Sequence, residues 1–448
     1  MADSPAERSS VGVVRTVAWA VTGALSLGVA LLALVPWFPV YPTLSLDASW
    51  TMVLHEAYAR GWRFGSDIMF TYGPLGFIWA STYTPATGAA MVGLWAAFAA
   101  GFWAVLFTLA RKLVPSALLA LPLLCLAMAV AAIGTDSYFF AYVALVPIVY
   151  VALGREETPL LHVAAALVGL VALVKFTYLV VGVLVVACVA ADVAARTWRV
   201  PRVPLAFLAS SLAGWLASGQ RLTDVPAYLF TSFEIARGYG SAMPLDGAID
   251  EVYLWAGLLA TFVGFTIAAS RPVPWFLAAG FAGWSFVLFK TGFVRHDGHS
   301  VATAAGLALT LIAYGAFVAP RHGRVVKALF VFLLAGTLLG LSDTVETYYR
   351  VPVARILTGK LTEELVDDAR AAGEVLIGPD PRPALYRTYI ARIRTESPVP
   401  AAPGSVDVFQ SLAGLAIAHD LDYRPRPVFQ SYVAYTGALA DYNAEFLR

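Results

Sequence analysis

Long apolar segments recur through the first 343 residues, and short polar stretches separate them. A helix needs roughly 20 apolar residues to cross about 30 Å of hydrocarbon, and about eleven segments approach that length. The pattern predicts an all-α polytopic membrane protein, in which Lys175 divides one apolar run into two short spans. The predicted spans lie near 12–38, 88–110, 115–133, 138–153, 159–174, 177–193, 203–219, 252–270, 273–290, 301–319 and 326–343.

The composition supports this interpretation and excludes two other classes of protein. The chain is 59% hydrophobic with a mean hydropathy of +0.73, values that lie outside the range of soluble globular proteins. A net charge of +1 and the absence of a Lys/Arg run argue against a nucleic-acid partner. Cys125 and Cys188 both lie in apolar segments, which indicates packing residues and not a disulfide framework.

The loops between the predicted spans differ in charge, and alternate loops carry the basic residues. If the N-terminus with Arg8 and Arg15 is cytoplasmic, the positive-inside rule assigns the other loops and the C-terminal tail to the extracytoplasmic side. The Ala/Val/Leu-rich, Arg-rich composition is typical of a bacterial plasma membrane protein. The basic loops on the expected cytoplasmic side contain residues 111–112, 155, 196–202, 271 and 321–327.

The first extracytoplasmic loop, residues 39–87, is long and rich in charges, aromatic residues and glycines. Asp47 follows the first span closely and is expected near the membrane surface. Apolar residues at three- and four-residue spacing predict a helix over 48–60, which can lie in the interfacial plane. Gly61 and Gly65 are expected to end it. We expect this loop to carry an active site.

Other charged residues fall on the same side of the predicted membrane. Asp136 occupies a very short turn, and Lys175 is either a functional residue or a lysine that snorkels at a helix end. Residues 220–251 predict a second amphipathic helix. In the stretch 289–299, cations suited to a phosphate are a more economical interpretation than a metal site, because the spacing of His296, Asp297 and His299 matches no strong zinc pattern.

These residues suit a reaction on a lipid-linked substrate at the membrane surface. Such a reaction needs a carboxylate as general base, and we assign Asp47 to that role. It also needs cations for a phosphate leaving group and aromatic surfaces for a sugar. No resident metal is assigned, although a divalent cation is left open. The expected substrate-binding residues are His55, Glu56, Asp67, Tyr72, Asp136, Lys175, Arg221, Tyr239, Lys290, Arg295 and His296.

After the transmembrane module of residues 1–343, the composition becomes charged and proline-rich, with no further span. Residues 344–448 predict a small extracytoplasmic α/β domain. Strands are expected at 373–380 and 405–411, and helices at 354–373 and 412–421. The sequence stops within a helix-like stretch, which suggests a truncated domain or one that lacks its last strands.

The first 180 residues resemble the GT-C superfamily of polyprenyl-phosphate-dependent glycosyltransferases, which includes protein O-mannosyltransferases and aminoarabinose transferases. Asp47, the predicted helix, Gly61 and the YGPL turn at 72–75 are similar to the first loop of that family. The stretch around Lys175 looks like its Leu-Thr-Lys-Gly element. The chain departs from the pattern at Ala48, which replaces a second acidic residue, and it has no Asp-x-Asp motif.

The resemblance implies Asp47 as catalytic base and Lys175 as a contact to the donor phosphate. The function we expect is therefore an inverting glycosyltransferase that moves a sugar from polyprenyl phosphate to an extracytoplasmic glycan, lipid or protein, in contact with membrane lipids. Two alternatives are a lipid or sugar transporter, and a non-catalytic envelope scaffold of GT-C-like fold. A transporter predicts charges deep within spans and symmetric halves, and no such symmetry is visible.

Overall fold

The computed structural model describes residues 5–268, 273–319, 322–409 and 411–448, with side chains from residue 12 onward. Arg8, Arg271 and Arg321, which contribute to the predicted orientation, lie outside these described side chains. The structure is mostly helical (72%), as expected for an all-α polytopic protein, and almost no sheet is described, which differs from the predicted α/β C-terminal domain.

Thirteen helices are described up to residue 349. They are α1 (Pro5–Leu34), α2 (Leu46–Arg60), α3 (Gly88–Leu113), α4 (Ala117–Ala131), α5 (Thr135–Ala152), α6 (Pro159–Val171), α7 (Phe176–Thr197), α8 (Val203–Ala217), α9 (Val225–Ala242), α10 (Ile249–Ala268), α11 (Trp275–Phe293), α12 (Ser300–Phe317) and α13 (Arg324–Tyr349). Eight of those described, α1, α3, α5, α7, α10, α11, α12 and α13, are long and apolar enough to cross a membrane. Helices α4, α6 and α8 are shorter apolar helices.

Helices α5 and α12 form the centre of the bundle. In α5, 89% of the residues in its apolar stretch are buried, and in α12 83% are. In α10 and in α13 only 28% of the corresponding residues are buried. Aromatic rings from α3 and α5 pack together around Tyr138 and Tyr142. The indole N–H of Trp284 in α11 donates to the Phe140 carbonyl at 2.9 Å and so joins α11 to α5. The apolar surface that remains exposed on the outer helices suits contact with lipid.

The long loops meet at one end of the bundle, which we call the loop end and define by residues 35–87, 172–175, 218–248 and 294–299. The Phe64 N–H donates to the Gln220 side chain at 2.9 Å, which joins the first loop to the connection before α9. Leu245 forms a single β-bridge with Arg295. The charged loops that alternate along the sequence therefore contact one another at one end of the structure.

Helix α2 confirms the predicted helix over 48–60. It is not an amphipathic surface helix with one face in water, because residues on several of its faces are buried. Val53 and Ala57 are buried on the predicted apolar face. Met52 and Ser49 are buried as well, because Gly414 of the C-terminal region packs against both side chains. The helix is thus enclosed between the bundle and the C-terminal region.

The described residues of the C-terminal region, 350–409 and 411–448, form five helices and one minimal sheet. The predicted strand over 373–380 is wrong, because helix α15 continues to Leu376 and buries Ala371 and Ala372. The predicted helix over 354–373 is divided at Thr362. The elements are α14 (Val353–Leu361), α15 (Glu363–Leu376), α16 (Arg382–Glu396), β1 (Ser405–Val406), α17 (Gly414–Ala418), β2 (Asp422–Tyr423) and α18 (Gly437–Phe446), with β1 and β2 parallel.

Candidate functional site

The YGPL turn of the first loop pairs with the connection between α6 and α7. The Gly73 N–H donates to the Val174 carbonyl at 3.1 Å, and the Phe176 N–H donates to the Thr71 carbonyl at 2.7 Å. Tyr72 and Lys175 are antiparallel partners in this short ladder. The pairing holds Lys175 in an extended conformation between the two helices.

Gly73 is required by this close approach, because a Cβ atom there would lie 2.4 Å from the Leu173 carbonyl oxygen. Gly73→Ala is expected to lower the free energy of unfolding by about 1–3 kcal/mol, the usual cost of overpacking. Denaturant unfolding of the purified protein in detergent measures the change. Gly93→Ala is the matched control, since a Cβ there meets nothing within 4 Å. Equal stability of the two variants would contradict the packing argument.

A buried ion pair lies beside this ladder. Asp136, in the first turn of α5, accepts hydrogen bonds from Lys175 Nζ at 3.0 Å, from Trp79 Nε1 at 3.2 Å and from the Tyr178 hydroxyl. The helix N-terminus also favours this carboxylate. Lys175 Nζ lies 5.3 Å from the Tyr72 ring centroid and 5.0 Å from that of Trp79. Lys175 is therefore paired inside an aromatic enclosure and does not extend to solvent as a snorkelling lysine does.

Asp47 lies near this pair, in the exposed first turn of α2. The Trp50 indole N–H donates to its carboxylate at 2.9 Å, and the same indole packs on the Tyr72 ring at 5.0 Å. Burial raises the pKa of the Tyr72 hydroxyl, and the negative charges of Asp136 and Asp47 raise it further. The negative charges of both carboxylates therefore disfavour ionisation of the Tyr72 hydroxyl.

The hydroxyl of Tyr239 in α9 interacts electrostatically with a cation as well as with Asp47 and Asp136. Burial raises the pKa of this hydroxyl, the Arg295 guanidinium opposes that rise, and Asp297, Asp136 and Asp47 add to it. Asp47 and Arg295 therefore both act electrostatically on this tyrosine, with charges of opposite sign. We call this group the Asp47 recess and define it by Asp47, Tyr72, Asp136, Lys175, Tyr239, Arg295, Tyr432 and Tyr435.

The loop that carries Arg295 is anchored by its neighbour. His296 is buried, and its Nε2 lies 2.7 Å from a carboxylate oxygen of Glu251 in α10. Glu251 also accepts hydrogen bonds from Thr344 at 3.1 Å and Tyr348 at 2.9 Å, both in α13. Arg295 donates through a terminal nitrogen to the Asp297 carboxylate at 3.3 Å, and its buried Nε has no hydrogen-bond partner among the described residues. That N–H is therefore an unsatisfied donor of a charged group.

Tyr432 and Tyr435 come from the C-terminal region and were not expected at the site. Burial raises the pKa of the Tyr432 hydroxyl, and Asp47, Tyr435 and Tyr239 add to the rise. The segment is held by the Met69 N–H, which donates to the Pro427 carbonyl at 2.7 Å. The density of aromatic residues in RPVFQSYVAY was the signal available in the sequence.

Four of the expected substrate-binding residues of the first loop and α11 lie outside the recess. His55 is buried, contacts Thr87 at 2.5 Å, and has its pKa lowered by burial to about 3, so the imidazole is neutral at pH 7. Glu56 pairs with Arg60 at 2.6 Å. Lys290 is exposed on the last turn of α11. Asp67 pairs with Arg63 at 3.4 Å.

Two further predicted residues occupy other places. The Arg221 side chain is exposed, and its carbonyl accepts a hydrogen bond from the Trp215 indole at 2.8 Å. His296 takes part in anchoring the loop through Glu251, as described above. The recess therefore contains Asp47, Tyr72, Asp136, Lys175, Tyr239 and Arg295 of the expected set.

The side chains considered for a metal do not converge on one point. His299 contacts Asp297, whereas His296 points to Glu251. Within the described parts of the chain, no group of three or more His, Cys, Asp or Glu side chains is placed to hold a metal ion. His296, Asp297 and His299 therefore do not form a metal site together.

Comparison with protein-family models, with curated proteins and with solved structures finds no match to this chain.

Proposed function

We propose that this protein is an inverting membrane glycosyltransferase that takes a sugar from a polyprenyl-phosphate donor and transfers it to an extracytoplasmic glycan, lipid or protein. The observation that supports the proposal is that Asp47 and Arg295, which carry opposite charges, both act electrostatically on the Tyr239 hydroxyl. The transfer requires a base and a cation. Asp47 supplies an exposed carboxylate, and Arg295 supplies a guanidinium whose Nε–H has no partner among the described residues.

In the proposed reaction Asp47 accepts the proton of the acceptor hydroxyl, and the acceptor oxygen attacks the anomeric carbon. The bond from that carbon to the phosphate oxygen breaks, and its electron pair leaves with polyprenyl phosphate. Arg295 Nε stabilises the charge that develops on the phosphate. A single displacement of this kind inverts the anomeric configuration. Lys175, already bonded to Asp136, fixes Tyr72 at the wall of the recess.

The proposal includes a groove for the donor lipid. An apolar cavity of about 240 Å³ lies between α3, α6 and α8. Leu75 of the YGPL turn lines it, together with Leu94, Phe98 and Leu167. The same turn pairs with Lys175 through Tyr72, so an isoprenoid chain in the cavity would end close to the recess.

The proposal also assigns the membrane arrangement. We infer that α4, α6 and α8 cross together with the eight longer helices, so that eleven spans place the loop end and the C-terminal region outside a bacterial plasma membrane. Arg155, Arg199 and Arg202 support this orientation, because they lie in the connections at the opposite ends of these helices, and Arg196 lies in the last turn of α7 at the same end.

The test is transfer from a panel of radiolabelled polyprenyl-phosphate sugars by the purified protein in lipid nanodiscs. Arg295→Gln is expected to lower turnover by about 10²–10³-fold, the usual effect of removing one donor to a developing anion. Lys290→Gln is the matched control, since that cation is exposed on the preceding helix. Absence of turnover with every donor, from folded wild-type protein, would refute the proposal. Lipid or sugar flux in liposomes without donor turnover would favour a transporter.

A further inference from the structure

A second cavity, larger than the 240 Å³ cavity between α3, α6 and α8, lies apart from the Asp47 recess. It is between the bundle and the helices α14 and α15. Its volume is about 410 Å³. One wall is formed by residues 33–38, Trp95 and Tyr138, which are largely apolar. The other wall is polar and is formed by Lys360, Glu364, Asp367 and Asp368. The cavity therefore suits a molecule that is apolar on one side and charged on the other.

The position of the cavity relates it to the membrane surface. Helix α1 ends at Leu34, α4 ends at Ala131 and α5 begins at Thr135, and all three residues line the cavity. Apolar helices that cross a bilayer end near the headgroups. The polar wall of α14 and α15 thus lies at headgroup depth, with the apolar wall toward the hydrocarbon.

Some of the charged side chains on the polar wall form ion pairs, and one carboxylate does not. Lys360 Nζ lies 2.5 Å from Glu364, and Arg370 lies 3.1 Å from Asp367. Asp368 is half-buried and has no hydrogen bond or ion pair among the described residues. Burial raises the pKa of its carboxyl to about 6, with Lys360 opposing and Glu364 adding to the rise. A second cation beside Asp368 would offset the burial of this carboxylate, which Lys360 offsets only in part.

An independent observation comes from the other wall. Tyr138 is only 1% exposed, and its hydroxyl has no hydrogen-bond partner in the described part of the chain. A buried hydroxyl in a native structure normally has a partner. The cavity is therefore lined by the Asp368 carboxylate, by the Lys360 ammonium and by a tyrosine whose buried hydroxyl has no partner among the described residues.

We propose that this cavity binds a phospholipid whose headgroup carries a primary ammonium beside its phosphate, as in phosphatidylethanolamine. The lipid ammonium would donate to Asp368, and its phosphate would accept from Lys360. An acyl chain would lie on the apolar wall formed by Leu34 and Trp95. This proposal does not depend on the transferase activity.

The experiment measures lipid binding to delipidated protein by native mass spectrometry. Phosphatidylethanolamine is expected to bind about tenfold more tightly than phosphatidylglycerol with the same acyl chains, since one charge-assisted hydrogen bond distinguishes them. Asp368→Asn is expected to remove the preference. Glu363→Gln, in the same helix but outside the cavity, is expected to keep it.

Three results would overturn the proposal. Equal binding of the two lipids by the wild-type protein would exclude recognition of the ammonium. An equal loss in Glu363→Gln would show that the helix contributes only general charge. Equal binding of phosphatidylcholine would exclude the hydrogen bond, because its quaternary ammonium has no N–H to donate. Matching thermal unfolding of Asp368→Asn and the wild type verifies that the variant is folded.

Discussion

Replacing Asp47 by asparagine is expected to lower the rate of sugar transfer by about 10²–10⁴-fold, the usual contribution of a general base. The amide oxygen of asparagine can still accept the Trp50 indole N–H, which Asp47 accepts at 2.9 Å, so the first turn of α2 keeps its contact. The amide cannot take a proton from an acceptor hydroxyl. Initial rates at saturating donor, measured beside the wild type, give the size of the loss.

The control and the kinetic pattern make this prediction specific. Asp67→Asn changes the same chemical group in the same loop, but that carboxylate is paired with Arg63, and asparagine can still accept the Arg63 backbone N–H. It is expected to keep near wild-type turnover. Loss of a base should lower kcat and leave the donor KM nearly unchanged. Full transfer by folded Asp47→Asn would remove Asp47 from catalysis.

The helices of this protein follow from local sequence patterns. A period of three to four apolar positions predicts α2, and the chain ends the helix at Gly61, which has a left-handed φ of 67°. The long apolar helices follow from composition in the same way. Local pattern fails at residues 373–380, where a Val-Leu-Ile run resembles a strand. Helix α15 packs on α1 and buries Ala371 and Ala372, and it continues into this run as far as Leu376, which is exposed as a buried strand residue would not be.

The site was only partly accessible from the sequence, because its contacts are distant along the chain. Asp136 and Lys175 each stand out as charges at membrane boundaries, but their pairing depends on α5 and α7 being neighbours. In the sequence Glu251 is an ordinary carboxylate in the first turn of a helix. Its role is visible only in the structure, where Thr344 of α13 donates a hydrogen bond to it. Tyr432 reaches the recess only because the C-terminal region folds back over the first loop.

Lys175→Met is expected to lower the free energy of unfolding by about 3–5 kcal/mol, because it leaves the buried Asp136 carboxylate without its cation. The Trp79 and Tyr178 donors remain, but neither carries a charge. The double variant Asp136→Leu with Lys175→Met is expected to recover much of that loss, since an apolar pair of similar volume removes the isolated charge. Denaturant unfolding in detergent measures all three proteins.

The same variants separate a structural role of Lys175 from a role in transfer. Lys327→Met, at an exposed lysine of α13, controls for loss of a positive charge and is expected to unfold like the wild type. If Lys175→Met is as stable as that control, the ion pair contributes nothing to the fold and our account of the Asp136 site is wrong. If the double variant regains stability without regaining transfer, the ammonium acts on the donor. Recovery of both would assign Lys175 to the wall of the recess, with Arg295 as the cation that stabilises the phosphate.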